Sequence, residues 1–176
     1  MDFFNLKNPA IILLLTPLFN VAFATTQVVF TKGNSQLKRA DKTMDLSKNM
    51  VLKHNDTIVT GDNGLVILKS KASTYKVSRN SRLALDLKTD EIINSDLNYG
   101  SIVVEFLKEK LRESTGKGLK IKTKSSSFGV RGTKFFSYVD SKNKNSVLSV
   151  ERGKVAFKGT TSTSETLVPT SKSSMT

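Results

Sequence analysis

Ser125-Ser126-Ser127-Phe128-Gly129-Val130-Arg131-Gly132-Thr133-Lys134-Phe135-Phe136-Ser137-Tyr138-Val139 is the stretch on which the fold reading turns. Aromatic and β-branched residues give it strand character, and Gly129 and Gly132 break it in the middle. If strand register is kept through the break, Phe128, Val130, Phe136 and Tyr138 share one face and Phe135 points the other way. Glycine inside a strand marks a bulge or a close approach of backbone. Gly132→Val is therefore expected to destabilise the protein more than a typical surface change does. Arg131, between the two glycines, is placed to pair with a carboxylate from a neighbouring strand.

The same period-two signal extends through the chain. Val28–Phe30, Ile58–Thr60, Leu65–Leu68, Tyr75–Val77, Leu83–Leu85, Ile102–Phe106, Leu119–Lys122, Phe135–Val139, Val147–Val150 and Val155–Phe157 are short β-rich runs bounded by turn residues. Gly61-Asp62-Asn63-Gly64 is the clearest turn and reads as a hairpin, because Asn and Gly tolerate positive φ; Asn143-Lys144-Asn145 reads as a second hairpin. Leu107 to Glu113, with mixed Lys and Glu, reads as an exposed loop. Glycines open several strands, at Gly64, Gly100, Gly118, Gly132 and Gly153, but at unequal intervals, so there is no strict repeat. The expectation is an all-β fold, a β-roll or solenoid-like stack of short strands, with a β-sandwich as the alternative that this spacing fits equally well.

The first 24 residues read as a signal peptide rather than as part of the fold. After Lys7 an apolar core begins, and Ala22-Phe23-Ala24 supplies the small-x-small pattern that signal peptidase accepts. Pro17 and Asn20 interrupt the run, which falls short of the roughly 20 apolar residues of a membrane span. The expected mature chain starts near Thr25, is periplasmic or secreted, and has no membrane span. Residues 25–158 are expected to form the β domain, and residues 159–176, dense in Ser and Thr, read as a flexible tail to which Leu167-Val168 could add one short strand.

Composition narrows the chemistry. The 176 residues carry 28 Lys and Arg against 15 Asp and Glu, a net charge of +13, and removal of the leader takes one charge of each sign. With no cysteine there is neither a disulfide nor a lipidated cysteine, so stability comes from packing. His54 is the only histidine, which leaves any Ser-His-Asp triad dependent on a residue beside a turn, and makes zinc binding unsupported. Asp62-Asn63-Gly64 resembles part of a calcium loop, but Lys69 and Lys71 fall where oxygen ligands are needed. Gly116-Lys117-Gly118 lacks the remainder of a phosphate loop. No catalytic residue, cofactor or metal is expected.

The lysines offer a sharper possibility. Lys120, Lys122 and Lys124 alternate with Leu119, Ile121 and Thr123, so on a strand they line one face, with Lys117 nearby. Such a ladder suits an anionic envelope polymer, such as peptidoglycan carboxylates or lipopolysaccharide phosphates. It also suits a solvated edge, where lysine discourages pairing with other chains. Nucleic acid fits the charge but not an exported location.

A longer set of motifs carries a family resemblance. Gly33, Met44-Asp45-Leu46, His54 to Leu68 with Asp56 and Thr60-Gly61, Ser78 to Leu83 with Asn80-Ser81, Leu97-Asn98-Tyr99-Gly100-Ser101-Ile102-Val103-Val104, Phe128 to Phe135, and Val150-Glu151-Arg152-Gly153-Lys154-Val155 resemble the FecR domain family. The motifs occur in the family's order over residues 28 to 158. The resemblance implies family positions at Thr60, Gly61, Asn80, Ser81, Gly100, Val130, Arg131, Gly132, Thr133, Phe135 and Gly153, with structural or interaction roles. Anti-sigma members of that family resemble a helical cytoplasmic segment and a membrane span followed by this domain. Neither precedes it here, so the resemblance implies the sensor domain's fold rather than sigma-factor control. Thr166 to Lys172 also departs from the family's closing stretch.

The expected function is that of an exported, non-enzymatic FecR-like binding module of the periplasm or cell envelope. Its expected partner is an envelope protein, or else an anionic polymer; a polysaccharide-active enzyme with scattered acids is a third reading. Salt dependence separates the first two, since exposed charge is screened and an apolar interface much less so.

Overall fold

The computed structural model describes residues 26–88, 91–107, 118–130, 132–160, 166–170 and 173–175. The leader, Arg131, Lys117 and most of the expected loop after Leu107 lie outside the described residues.

The chain winds back and forth between two sheets. β1 (Gln27–Lys32) lies in the first sheet, and β2 (Ser35–Arg39), β3 (Lys42–Asp45) and β4 (Thr57–Thr60) lie in the second. β5 (Leu65–Lys69) and β6 (Ser73–Val77) return to the first, and β7 (Ser81–Lys88) crosses again. β8 (Glu91–Phe106) belongs to both sheets: its first half pairs with β7 and its second half with β6. β9 (Leu119–Lys122) and β10 (Ser126–Val130) are in the second sheet, and β11 (Lys134–Val139) and β12 (Ser146–Arg152) in the first. β13 (Lys154–Gly159) and β14 (Thr166–Pro169) extend the second, and β15 (Ser173–Met175) the first.

The resulting orders are β1-β5-β6-β8-β11-β12-β15 and β3-β2-β4-β7-β8-β9-β10-β13-β14. Neighbours pair antiparallel, except β8 with β9, which run parallel. This is the expected all-β stack of short strands, wound as a roll.

Inward side chains of both sheets meet in one core, which includes Tyr75, Val104 and Phe135 from the first sheet and Leu83, Leu97 and Phe128 from the second. Phe128 stacks on Phe157 with ring centroids 5.5 Å apart. Burial alternates strictly along β10 and β11, as half-buried strands require.

The crossings explain the scattered glycines. Gly33 (φ 66°), Asn80 (φ 50°), Gly132 (φ 65°) and Gly153 (φ 89°) stand where the chain changes sheet, and Gly100 (φ 88°) stands where β8 passes from one sheet to the other. At these corners the backbone takes the left-handed conformation that glycine and asparagine accept most easily. Gly64, by contrast, has no positive φ, and a side chain there would meet the Asn34 carbonyl and Thr60.

Two expectations are corrected by this winding. Gly61-Asp62-Asn63-Gly64 does not close a hairpin: β4 pairs with β2 and β7, β5 pairs with β1 and β6, and the turn carries the chain between sheets. Nor is register kept through the glycine-broken run. Phe128 and Val130 are buried on β10, Phe135, Ser137 and Val139 are buried on β11, and Phe136 and Tyr138 face outward. The corner between β10 and β11 places the strands in different sheets, which resets the parity. Asn143-Lys144-Asn145 does lie in the β11–β12 hairpin, where Asp140 accepts backbone hydrogen bonds from Lys142 and Asn143 at 2.7 and 3.0 Å. Those bonds hold the Asp140 carboxyl below its usual range. Within residues 159–176, β14 contains Leu167-Val168, and β15 pairs with β12.

Candidate functional site: corner motifs and two outer faces

The motif residues gather at corners. Thr60 Oγ1 donates to the Ser78 carbonyl at 2.6 Å and accepts from the Ser81 backbone N–H at 3.0 Å. The Ser81 hydroxyl in turn donates to the Arg79 carbonyl at 3.0 Å and accepts from the Ser101 N–H at 2.9 Å. The Asn80 N–H donates to the Gly61 carbonyl at 2.9 Å, and the Gly61 N–H to the Asn34 carbonyl at 2.8 Å. A side chain at Gly100 would run into the Ser81 hydroxyl and backbone. These buried hydroxyls satisfy backbone groups that the corner removes from the β-ladder.

The second group of motif residues meets at the next corners. A Cβ at Gly153 would lie 2.6 Å from Thr133 Cγ2 and 2.9 Å from the Gly132 carbonyl. Val130, Thr133 and Phe135 are buried beside it. The Thr60 and Ser81 hydroxyls are thus taken up by backbone groups, and Val130, Thr133 and Phe135 are packed inside. A depression of about 390 Å³ opens beside the first group, lined in part by Arg79, Tyr99 and Tyr138.

One charged pair is built into the fold. Asp56, whose side chain is fully buried, takes two hydrogen bonds from Arg39 at 2.7 Å each and one from the Lys53 N–H at 2.7 Å. The Asp56 hydrogen bond pushes the Arg39 guanidinium further toward its protonated form. Tyr75 is also fully buried; burial pushes its phenol well above the usual range, and the Ser95 hydroxyl from the opposite sheet offsets this in part. Among the described residues neither hydroxyl has a partner within ordinary hydrogen-bond geometry.

Among the described residues His54 and Asp86 form the remaining contact between a histidine and a carboxylate. His54 lies in an exposed turn with Nδ1 3.0 Å from Asp86, whose other oxygen accepts from Asn94 at 2.7 Å. Among the described residues, no group of three or more His, Asp or Glu is placed to hold a metal ion.

The outer faces of the sheets differ in kind. On the first sheet, register aligns Phe30, Ile67, Lys76, Val103, Phe136 and Ser149 across β1, β5, β6, β8, β11 and β12, with Tyr138 and Val147 paired alongside. Phe30, Phe136 and Tyr138 remain 41%, 38% and 39% exposed. Two ion pairs border the row, Lys134 with Glu151 at 2.8 Å and Arg152 with Glu105 at 3.0 Å, while exposed Lys76 stands within it.

On the second sheet, Lys120 and Lys122 face outward on β9, while Lys124 lies in the bend beyond the strand end. Sequence reasoning missed that β13 joins this surface through β10. Lys122 and Lys158 flank Ser127, and Lys120 and Ala156 flank Gly129. The outward parity of Lys154 and Lys158 was available from the alternation of Lys154-Val155-Ala156-Phe157-Lys158, but their proximity to β9 was not.

This is the architecture of an all-β domain, and the comparisons agree. The family model described as FecR protein matches residues 56–156, more than half of the chain, and the protein belongs to the FecR family. Two crystal structures of a "putative anti-sigma factor" from Parabacteroides distasonis ATCC 8503, at 1.65 and 2.50 Å resolution, have similar folds, with TM-scores of 0.54 and 0.55 at 12% identity. Each alignment covers 68% of this chain but only 53% of the other, so this chain spans about half the length of those proteins. No curated protein sequence matches the chain. Among the described residues no helix is long and apolar enough to cross a membrane.

Proposed function

We propose that the protein is an exported, non-enzymatic interaction module of the periplasm or cell envelope that docks another envelope protein through the outer face of its first sheet. The observation that carries this reading is the aligned, exposed row of Phe30, Phe136 and Tyr138 among Ile67, Val103 and Val147. Exposed aromatic groups bring large contact area at low entropic cost and are enriched at interface hot spots. Lys134, Glu151, Arg152 and Glu105 beside them are already paired, and Lys76 within the row is left for an acceptor or carboxylate of the partner to meet. Family membership supports regulation by binding, and the solved neighbours carry the description of a protein class that acts by binding proteins.

Tagged protein should be cross-linked in intact envelopes and recovered after washes at low and high salt. One stoichiometric partner retained at high salt, and lost when Phe136→Ser and Tyr138→Ser are combined, is the expected result. Retention of that partner by the double variant would reject this face. Export is read separately, from the mass of the protein in the periplasmic fraction, which should start at Thr25.

A further inference from the structure

Gly129 is the one motif-region glycine that the fold does not explain. Its φ is not positive, and it lies in the interior of β10 facing outward. A Cβ there would meet only the Ala156 Cβ at 3.5 Å and the Ala156 carbonyl at 4.0 Å, which is ordinary contact. Glycine inside a strand weakens it, and one that neither conformation nor packing requires points to a surface kept clear for something else.

What Gly129 keeps clear is the floor of a depression of about 550 Å³ on the outer face of the second sheet. Ser127, Gly129 and Ala156 form the floor, Lys120, Lys154 and Lys158 stand around it, and exposed Leu167 closes one side. Among the described residues no carboxylate lines it, and none of these lysines forms an ion pair. Beyond β9 a second depression of about 620 Å³ adds Lys122, Lys124, Lys144 and Arg82, with one carboxylate, Asp96, beside Lys122. Strand geometry sets the charge spacing: Lys120 and Lys122 are about 7 Å apart along β9, Lys154 and Lys158 about 13 Å apart along β13, and the two rows about 10 Å apart across β10.

We propose that this trough binds an anionic glycan, one carrying carboxylate or phosphate groups, laid along β10 between the lysine rows of β9 and β13. A sugar ring is flat enough to rest on the side-chain-free floor at Gly129 and Ala156, while its anionic substituents reach the lysines on either side. The Ser127 hydroxyl offers a donor and an acceptor to ring hydroxyls. Among the described residues the lining holds no Trp, Tyr or Arg anchor of the sort that dominates protein interfaces, which favours a glycan over an acidic protein. This deepens the envelope-module reading and rests on it for the ligand's location, but it uses the opposite face from the protein-docking site.

The test uses the purified full chain and a uronic-acid oligosaccharide, with a phosphorylated oligosaccharide, a neutral oligosaccharide of equal length, a poly-glutamate peptide and single-stranded DNA as the other probes. The parent is expected to bind the carboxylate or phosphate glycan in a salt-sensitive manner and to ignore the neutral one. Gly129→Val retains every charge and suits a strand, so it should keep the parent's melting temperature or raise it. It should nonetheless weaken glycan binding by about tenfold or more, the equivalent of one good contact. Lys120→Gln with Lys158→Gln should weaken binding and flatten its salt dependence.

Binding by Gly129→Val equal to the parent would reduce the trough to diffuse charge and overturn the proposal. Absence of anionic-glycan binding by the parent would also overturn it, as would tighter binding of poly-glutamate or DNA with the same response to the variants. Capture of a protein partner through Phe136 and Tyr138 should be unaffected by Gly129→Val, so failure of the glycan site and failure of the docking face are read independently.

Discussion

The two outer faces of the roll share one inner core but present opposite chemistry. The first sheet shows aromatic rings around Lys76 and beside two ion pairs, and the second shows lysines around a floor almost without side chains. Strand alternation commits every second residue to the core, so each outer position is free of packing demands and can be specialised. The difference teaches that outward parity leaves each face free to carry the role proposed for it, whereas motif residues such as Thr60, Ser81 and Gly100 are engaged at the corners between the sheets.

The strongest way to break the comparison is to remove a corner, which should abolish both faces together. Gly100→Val combines an unfavourable positive φ with a collision against Ser81, and is expected to cost more than about 4 kcal/mol, with no cooperative melt at ordinary temperature. A normal melting curve would show that the passage of β8 between sheets is not under steric control. Arg39→Ala should come next, at about 3 kcal/mol, because it leaves Asp56 buried without its cation; this is toward the low end of the usual range since Arg39 is itself partly exposed. Chemical denaturation would measure it.

Gly132→Val, at φ 65°, should cost about 1–3 kcal/mol and lower the melting temperature, because the corner there resets the parity between Phe128 and Phe135. An unchanged melt would remove the strain argument. The smallest effect is expected at Tyr75, which lies between the sheets and belongs to neither outer face. Its folded phenol keeps its proton well above the pH of about 10 at which an unfolded tyrosine loses it. Its contribution is therefore fully present below pH about 10 and is lost as pH rises further. Tyr75→Phe removes a hydroxyl without a geometric partner, so stability at pH 7 should change by less than about 1 kcal/mol, and the alkaline decline should be shallower. A steeper decline in the variant would contradict the assignment.

Much of the strand content was legible because it depends on local alternation. Tyr75–Val77, Leu83–Leu85 and Val155–Phe157 all fall within observed strands. β2 and β3 were not, since their segments are polar and only Leu37 of the two strands is both apolar and fully buried. The first half of β8 was hidden for a related reason: it mixes Asn, Ser and Asp with Ile92 and Leu97, and its pairing with β7 is interrupted by bulges. Of the candidate site, Lys120 and Lys122 could be placed on one strand face, but Lys154 and Lys158 could not be brought to them, and Gly129 could not be told apart from the structural glycines.

By itself the sequence determined an all-β chain, the parity of its side chains within each short strand, and its FecR-type order of motifs, because alternation and turn chemistry act over a few residues. Only the tertiary structure decided which strands became neighbours, that Gly61–Gly64 is a crossing rather than a hairpin, and that parity changes between Phe128 and Phe135. Those outcomes depend on contacts between residues far apart in the chain, and on a positive φ at each corner whose effect is visible only when both sheets are present.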